Sequence, residues 1–135
     1  MIRSGQSQTR EPQYASTAAV RGEQDWGSTY AEVDLTGQHV YLVKDGGCYL
    51  GCALCYRKYF QKVCTPPGIF PLTYKQKDKV LRGAKRADGT YEYESPVSFW
   101  MPFNGGIGFH DANWRSSFGG EIYKTGGSHG CINLP

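Results

Sequence analysis

Val97-Ser98-Phe99-Trp100-Met101-Pro102-Phe103, Asn104-Gly105-Gly106, Ile107-Gly108-Phe109-His110: the reading of this stretch decides the fold. Two apolar runs of strand length flank a glycine turn, which is the pattern of a buried β-hairpin. Moving outward, Asp88-Gly89 separates Lys79–Arg82 from the alternating run Tyr91–Tyr93. Thr65-Pro66-Pro67-Gly68 is a rigid turn leading into Ile69–Tyr74. Further upstream, Val33 and Leu35 alternate with Glu32 and Asp34 within Thr29–Leu35, so that segment reads as a half-buried strand. Thr36-Gly37 turns the chain and His39–Lys44 returns as the partner strand. Asp45-Gly46 is a second hairpin turn signal. Sustained helical periodicity is missing ahead of the C-terminal segment, and the expected fold is mainly β.

Composition bounds the rest. A chain of 135 residues holds one domain with a single modest core. Ten Tyr, six Phe, three Trp and 18 Gly favour strands and tight turns over a helical bundle. Residues 1–27 are polar and aperiodic and read as a linker or lead-in, with the domain expected over 28–135. The formal charge of +3 is dispersed. It suits an anionic environment and gives no nucleic-acid footprint. No apolar run reaches membrane-spanning length. Met1 leads into polar residues, so any export signal is expected to lie outside this chain or not to exist. Gly105-Gly106-Ile107-Gly108 has no helix after it and does not read as a phosphate cradle.

The chemistry concentrates near the C-terminus, in His110-Asp111-Ala112-Asn113-Trp114 and Gly126-Gly127-Ser128-His129-Gly130-Cys131-Ile132-Asn133. Cysteine attacks as thiolate, and a free thiol with pKa roughly 8.5 needs a base beside it. His129 stands two residues from Cys131 and cannot easily fold back onto the sulfur; it reads as structural. His110 arrives from another strand and can meet Cys131 face on, so the pair is Cys131 and His110. The surrounding glycines permit a tight backbone whose amides can face an oxyanion. Ile132 is an expected core anchor. Asn133-Leu134-Pro135 reads as an N-cap with Pro in the first turn, and a helix starting there would help depress the thiol pKa. His39 is an expected surface residue without a role. Trp100 and Trp114 serve either a groove or packing.

These residues resemble the L,D-transpeptidase catalytic domain, marked by a His, a spacer, and Ser/Thr-His-Gly-Cys-apolar-Asn/Arg. Here His110 and Ser128-His129-Gly130-Cys131-Ile132-Asn133 fit that pattern throughout. Thr29–Asp45, Thr65–Lys75 and Arg82–Asn133 are similar to the forms common in Gram-positive bacteria, and Thr9-Arg10-Glu11-Pro12 resembles the linker of longer members. The resemblance implies a β-sandwich-like catalytic domain with few short helices, here a C-terminally truncated copy. It implies that Cys131 attacks the L-to-D peptide bond of a peptidoglycan tetrapeptide stem and releases D-Ala. His110 would act as base and then acid, oriented by the backbone carbonyl of Asp111. The amides of His129, Gly130 and Cys131 would form the oxyanion hole. Ser128, His129 and Asn133 would shape the loop and touch the donor. Carbapenem-type β-lactams would acylate the same thiol, no cofactor or metal is needed, and the location would be extracytoplasmic, in the wall or anchored to the membrane. Rival readings are a Cys–His peptidoglycan hydrolase or carboxypeptidase, an inactive wall-binding remnant and, more distantly, a metal-binding module.

That last rival comes from Cys48, Cys52, Cys55 and Cys64, spaced C-x3-C-x2-C-x8-C. Four thiolates match the count of a zinc site, but the spacing lacks paired knuckles. Two disulfides are the second option. The resemblance breaks off near Gly47 and resumes at Thr65, which gives a third. With synonymous codons chosen to fit, Gly47–Cys64 read one base on gives VVILGAPCVTGNISKRYA, which alternates like a strand and turns at its Thr-Gly-Asn. Residues 47–64 are accordingly read as out-of-frame sequence between two compensating indels, expected to make a poor strand pair. Codons incompatible with the second frame would sink this reading.

Overall fold

A computed structural model of the chain describes residues 2–3, 27–45, 47–52 and 64–135. Among the described residues, eight strands and one short helix form in the order β1 (Ile2–Arg3), β2 (Tyr30–Asp34), β3 (His39–Lys44), β4 (Gly47–Cys52), β5 (Gln76–Arg82), β6 (Glu94–Asn104), β7 (Ile107–Asp111), α1 (Tyr123–Gly126) and β8 (Ile132–Leu134). They make two four-stranded sheets, β1-β2-β3-β4 and β5-β6-β7-β8. Among the described residues no helix is long and apolar enough to cross a membrane.

The first sheet follows the turn chemistry. The Asp34 carboxylate accepts the amides of Thr36 and Gly37, each at 2.9 Å, which closes the β2–β3 turn. Val33 then pairs with Val40 across the ladder, and both are buried. Strand β3 continues through Asp45, at φ +50°, into β4, whose Gly47 pairs with Lys44 and Cys52 with His39. The poor pairing expected of Gly47–Cys64 is therefore corrected over its first six residues. Ladder hydrogen bonds belong to the backbone and form whichever side chains the strand carries. Residues 53–63, with Cys55, lie outside the described residues. Cys64 is a free thiol.

In the second sheet, β6 and β7 form the expected hairpin about Gly105 and Gly106, with an irregularity between Pro102 and Asn104. Strand β7 then pairs parallel with β8. A parallel partner needs a long crossover, which residues 112–131 supply with α1 as a single turn. Here the expectation at Asn133-Leu134-Pro135 is overturned. Asn133 caps no helix; it is the middle residue of β8 and pairs with His110. Tertiary pairing and the burial of Ile132 outweigh the local helix-start signal, which is worth about 1 kcal/mol. Among the described residues no helix starts at Asn133.

The sheets meet on one core. Val33, Leu35 and Val40 from the β2–β3 hairpin pack with Phe103, Phe109 and Ile132, and Phe70, Met101 and Ile107 border them. The rings of Phe70 and Phe109 tilt against Phe103 with centroids 5.6 and 5.2 Å away. Ile132, fully buried at 0 % exposure, is the anchor that the sequence reading expects. The result is a β-sandwich-like domain, mainly β, with one short helix among the described residues.

Candidate active site

Strand β7 presents His110, and the chain reaches Cys131 one residue before β8. Because Phe109 pairs with Ile132 and His110 with Asn133, the parallel ladder sets the two segments side by side. Gly108 makes the close strand approach possible: a Cβ there would stand 2.6 Å from the Met101 carbonyl oxygen and 2.7 Å from Pro102 Cα.

His110 is 4 % exposed. Its Nδ1 lies 2.8 Å from the carbonyl oxygen of Asp111. A carbonyl only accepts, so Nδ1 carries the proton and donates it, which leaves Nε2 with a lone pair. Burial lowers the imidazole pKa below its ordinary value, aided by the Arg115 charge and opposed by the Asp111 carbonyl and carboxylate. The ring is flanked by Trp100, centroids 6.1 Å apart, and by Trp114, 5.8 Å apart. The two tryptophans divide the roles that the sequence left open. Trp100 is buried and donates Nε1–H to Tyr74 Oη at 3.2 Å; Trp114 is 51 % exposed and forms an open wall beside the imidazole.

Asp111 acts with side chain and backbone at once. Its carboxylate accepts the amides of Phe99 at 2.8 Å and Ser98 at 3.0 Å, pinning the end of β7 to β6. Burial works to raise its pKa, but these amides outweigh burial and hold it below the usual carboxylate value. The residue whose carbonyl holds the imidazole is itself held on two bonds.

Cys131 is a free, half-buried thiol. Burial pushes its pKa up, and the Gly108 amide donating to sulfur acts the other way. The Sγ–H donates to the Gly106 carbonyl oxygen at 3.6 Å. Among the described residues no hydrogen bond joins Sγ to the imidazole. Burial thus pushes both groups toward their neutral forms, thiol and imidazole.

The loop between them is internally bonded. Ser128 Oγ–H donates to the Cys131 carbonyl at 2.5 Å and accepts the Gly130 amide at 3.3 Å. Of the three amides expected to face an oxyanion, that of Gly130 is thus engaged, while those of His129 and Cys131 have no acceptor among the described residues. Gly130 sits at φ +111°, and a Cβ would meet Ile107 Cδ1 at 3.2 Å. His129 is exposed and stacks on Tyr93, centroids 5.8 Å apart and planes within 14°. Asn133 is 2 % exposed, and its Oδ1 lacks a hydrogen-bond partner among the described residues; it lies beneath the loop as part of the strand. His39 is half-buried, bonded through Nδ1 to the Gly37 carbonyl and stacked on Tyr41, within the first sheet.

Two contacts escape sequence reading. Tyr93 covers His129 and lies within electrostatic reach of Cys131. Buried Thr65 donates Oγ1–H to the Gly130 carbonyl at 2.6 Å. The alternating run containing Tyr93 was visible, but nothing local in Thr65-Pro66-Pro67-Gly68 signals a bond spanning 65 residues. Among the described residues no group of three or more His, Cys, Asp or Glu is placed to hold a metal.

The family model of the L,D-transpeptidase catalytic domain matches residues 28–135. The chain belongs to this family. Among solved structures it is similar to a Cys-to-Ser mutant of the Enterococcus faecium L,D-transpeptidase, with 40 % identity and a TM-score of 0.69 over 81 % of this chain. That match covers 42 % of the E. faecium chain, so the present chain spans less than half of that protein's length. The catalytic domain of E. faecium L,D-transpeptidase acylated by ertapenem is 41 % identical, with a TM-score of 0.66 over 83 % of this chain and 84 % of that domain. L,D-transpeptidase 3 of Mycobacterium tuberculosis shares the fold, with 15 % identity and a TM-score of 0.61 over 79 % of this chain and 52 % of its own. Comparison with curated protein sequences gave no match. The sandwich-like β architecture of this L,D-transpeptidase domain agrees with these neighbours.

Proposed function

We propose that this chain carries the acyl-transfer site of an L,D-transpeptidase that cross-links peptidoglycan stem peptides. One observation carries the reading: the Ser128–Asn133 motif runs into a strand whose register is locked to that of His110.

In the proposed reaction Cys131 Sγ leaves the Gly106 carbonyl and gives its proton to Nε2 of His110. Sulfur adds to the carbonyl carbon of the L-to-D bond, and the amides of His129 and Cys131 take the charge on oxygen. The carbon–nitrogen bond breaks, the imidazolium protonates the departing amine of D-Ala, and a thioester remains on Cys131. The amine of a second stem then attacks the thioester, and its proton passes through His110 back to sulfur. The neutral imidazole favoured by burial is the form that can accept the first proton. The fixed Asp111 carbonyl keeps the correct nitrogen free. Carbapenem-type β-lactams are the proposed covalent inhibitors; acylation by ertapenem in the E. faecium domain supports this. An extracytoplasmic, wall-associated site of action completes the reading.

The test is a disaccharide-tetrapeptide donor offered with and without an amine acceptor. Cross-linked product with loss of D-Ala is expected. Release of free tripeptide alone would overturn transfer in favour of hydrolysis, and a Cys131 inert to both donor and ertapenem would mark a binding remnant.

A further inference from the structure

The Gly130–Cys131 peptide is held by a side chain remote in sequence. Thr65 is 2 % exposed, and its hydroxyl donates to the Gly130 carbonyl at 2.6 Å. The same segment borders the loop: a Cβ on Gly130 would lie 3.5 Å from the Cys64 carbonyl oxygen, in ordinary van der Waals contact. A peptide is planar and trans, so a carbonyl drawn toward Thr65 sends the amide of the next residue the opposite way. That amide belongs to Cys131 and has no acceptor among the described residues. The preceding amide, of Gly130, is taken by Ser128.

The need for such a hold is also visible. Gly130 occupies φ +111°, and glycine has no Cβ to bar rotation of the following peptide. A flipped Gly130–Cys131 peptide would point carbonyl oxygen, in place of N–H, at the oxygen of an acyl group on Sγ. Ser128 does not guard against this, because its bonds go to the Gly130 amide and the Cys131 carbonyl, on the two neighbouring peptides.

We infer that Thr65 is a positioning residue for acyl transfer: its hydroxyl locks the Gly130–Cys131 peptide so that the Cys131 amide faces the developing oxyanion. The inference rests on the acyl-transfer reading above. Thr65 touches neither sulfur nor substrate and acts through the backbone alone.

Two reactions of Cys131 separate orientation of the amide from general integrity of the site. Acylation by ertapenem builds negative charge on a carbonyl oxygen; alkylation by iodoacetamide displaces iodide and builds none. In the 135-residue chain, Thr65→Val should slow ertapenem acylation about tenfold or more, followed by intact mass. Iodoacetamide alkylation of Cys131, followed by peptide mapping, should stay within about twofold, and Thr65→Ser should restore most of the acylation rate. Thr65→Val acylating at the parent rate overturns the inference. So does an equal fall in both reactions, which marks plain loosening of the loop. Should Thr65→Val lose its melting transition, Thr65→Ala replaces it under the same criteria. A parent chain that alkylates but never acylates overturns the acyl-transfer reading, and this inference with it.

Discussion

The two sheets bury apolar stripes against the same core, yet they differ in what their strands carry. In the first, β2 and β3 are joined by a turn that their own residues close, and Val33 and Val40 face inward as a matched pair. In the second, β7 and β8 are parallel neighbours joined by a long crossover, and polar His110 and Asn133 are buried at the paired positions. The first sheet is a wall. It too buries polar side chains, Glu32 and Gln38, but the second sets its buried imidazole beside a thiol and the left-handed Gly130, an arrangement that suits a reactive site. Changes in the first sheet should therefore move stability alone, and changes in the second should move chemistry.

The sharpest separation is expected from Cys131→Ala, which should abolish the ertapenem adduct in intact mass while the melting transition remains. An adduct surviving that change would move the nucleophile elsewhere. Next in size, His110→Gln should slow acylation about 10²- to 10⁴-fold, the range for loss of a general base. Stopped-flow quenching of protein fluorescence checks it, and a loss under tenfold would remove His110 from the reaction. Paired core truncations then probe the contrast directly. Ile132→Ala should cost about 2–5 kcal/mol and slow acylation, because β8 carries the thiol loop. Val40→Ala should cost about 0.5–3 kcal/mol and leave the rate per folded molecule unchanged. Urea unfolding with parallel acylation kinetics reads both, and a slowed Val40→Ala would break the division between wall and site.

The smallest effect expected is on pH dependence. Burial lowers the His110 pKa, so the acid limb of the acylation rate should turn below the ordinary value of 6.5. Stability should follow the same sign. The unfolded chain binds a proton on this imidazole more readily than the folded one, so its contribution is complete above the unfolded pKa and is lost as pH falls through the folded value. The chain should melt lower at acid than at neutral pH, by a margin that shrinks in His110→Gln. An acid limb turning at or above 6.5 would mean that the imidazole is solvated.

The hairpins were legible because each rests on neighbours in sequence: alternating Val33 and Leu35, the Thr36-Gly37 turn, and the glycines between Phe103 and Ile107. Residues of the site were legible for another reason, since the spacing of His110 and Ser128–Asn133 follows a family pattern. What stayed hidden depends on partners far along the chain. Asn133-Leu134-Pro135 has the local form of a helix start, and only pairing with β7 makes it a strand. Likewise Thr65 looks like one residue of a turn until Gly130 is placed against it. The pairing of β4 with β3 rests on backbone bonds, which form even in a segment whose sequence reads as out of frame.

The parallel pairing of β7 with β8 has one more consequence. Its ladder is three residues long, which offers little backbone preference for one alignment over the next. Burial of Ile132, worth about 1.5–3 kcal/mol, settles the alignment instead. A slip by one residue would carry Asn133 into the apolar cluster of Phe103 and Phe109 and expel Ile132 from it. Misplacement of the sulfur is thereby coupled to an unfavourable burial, and a single greasy residue acts as an error check on its reactive neighbour.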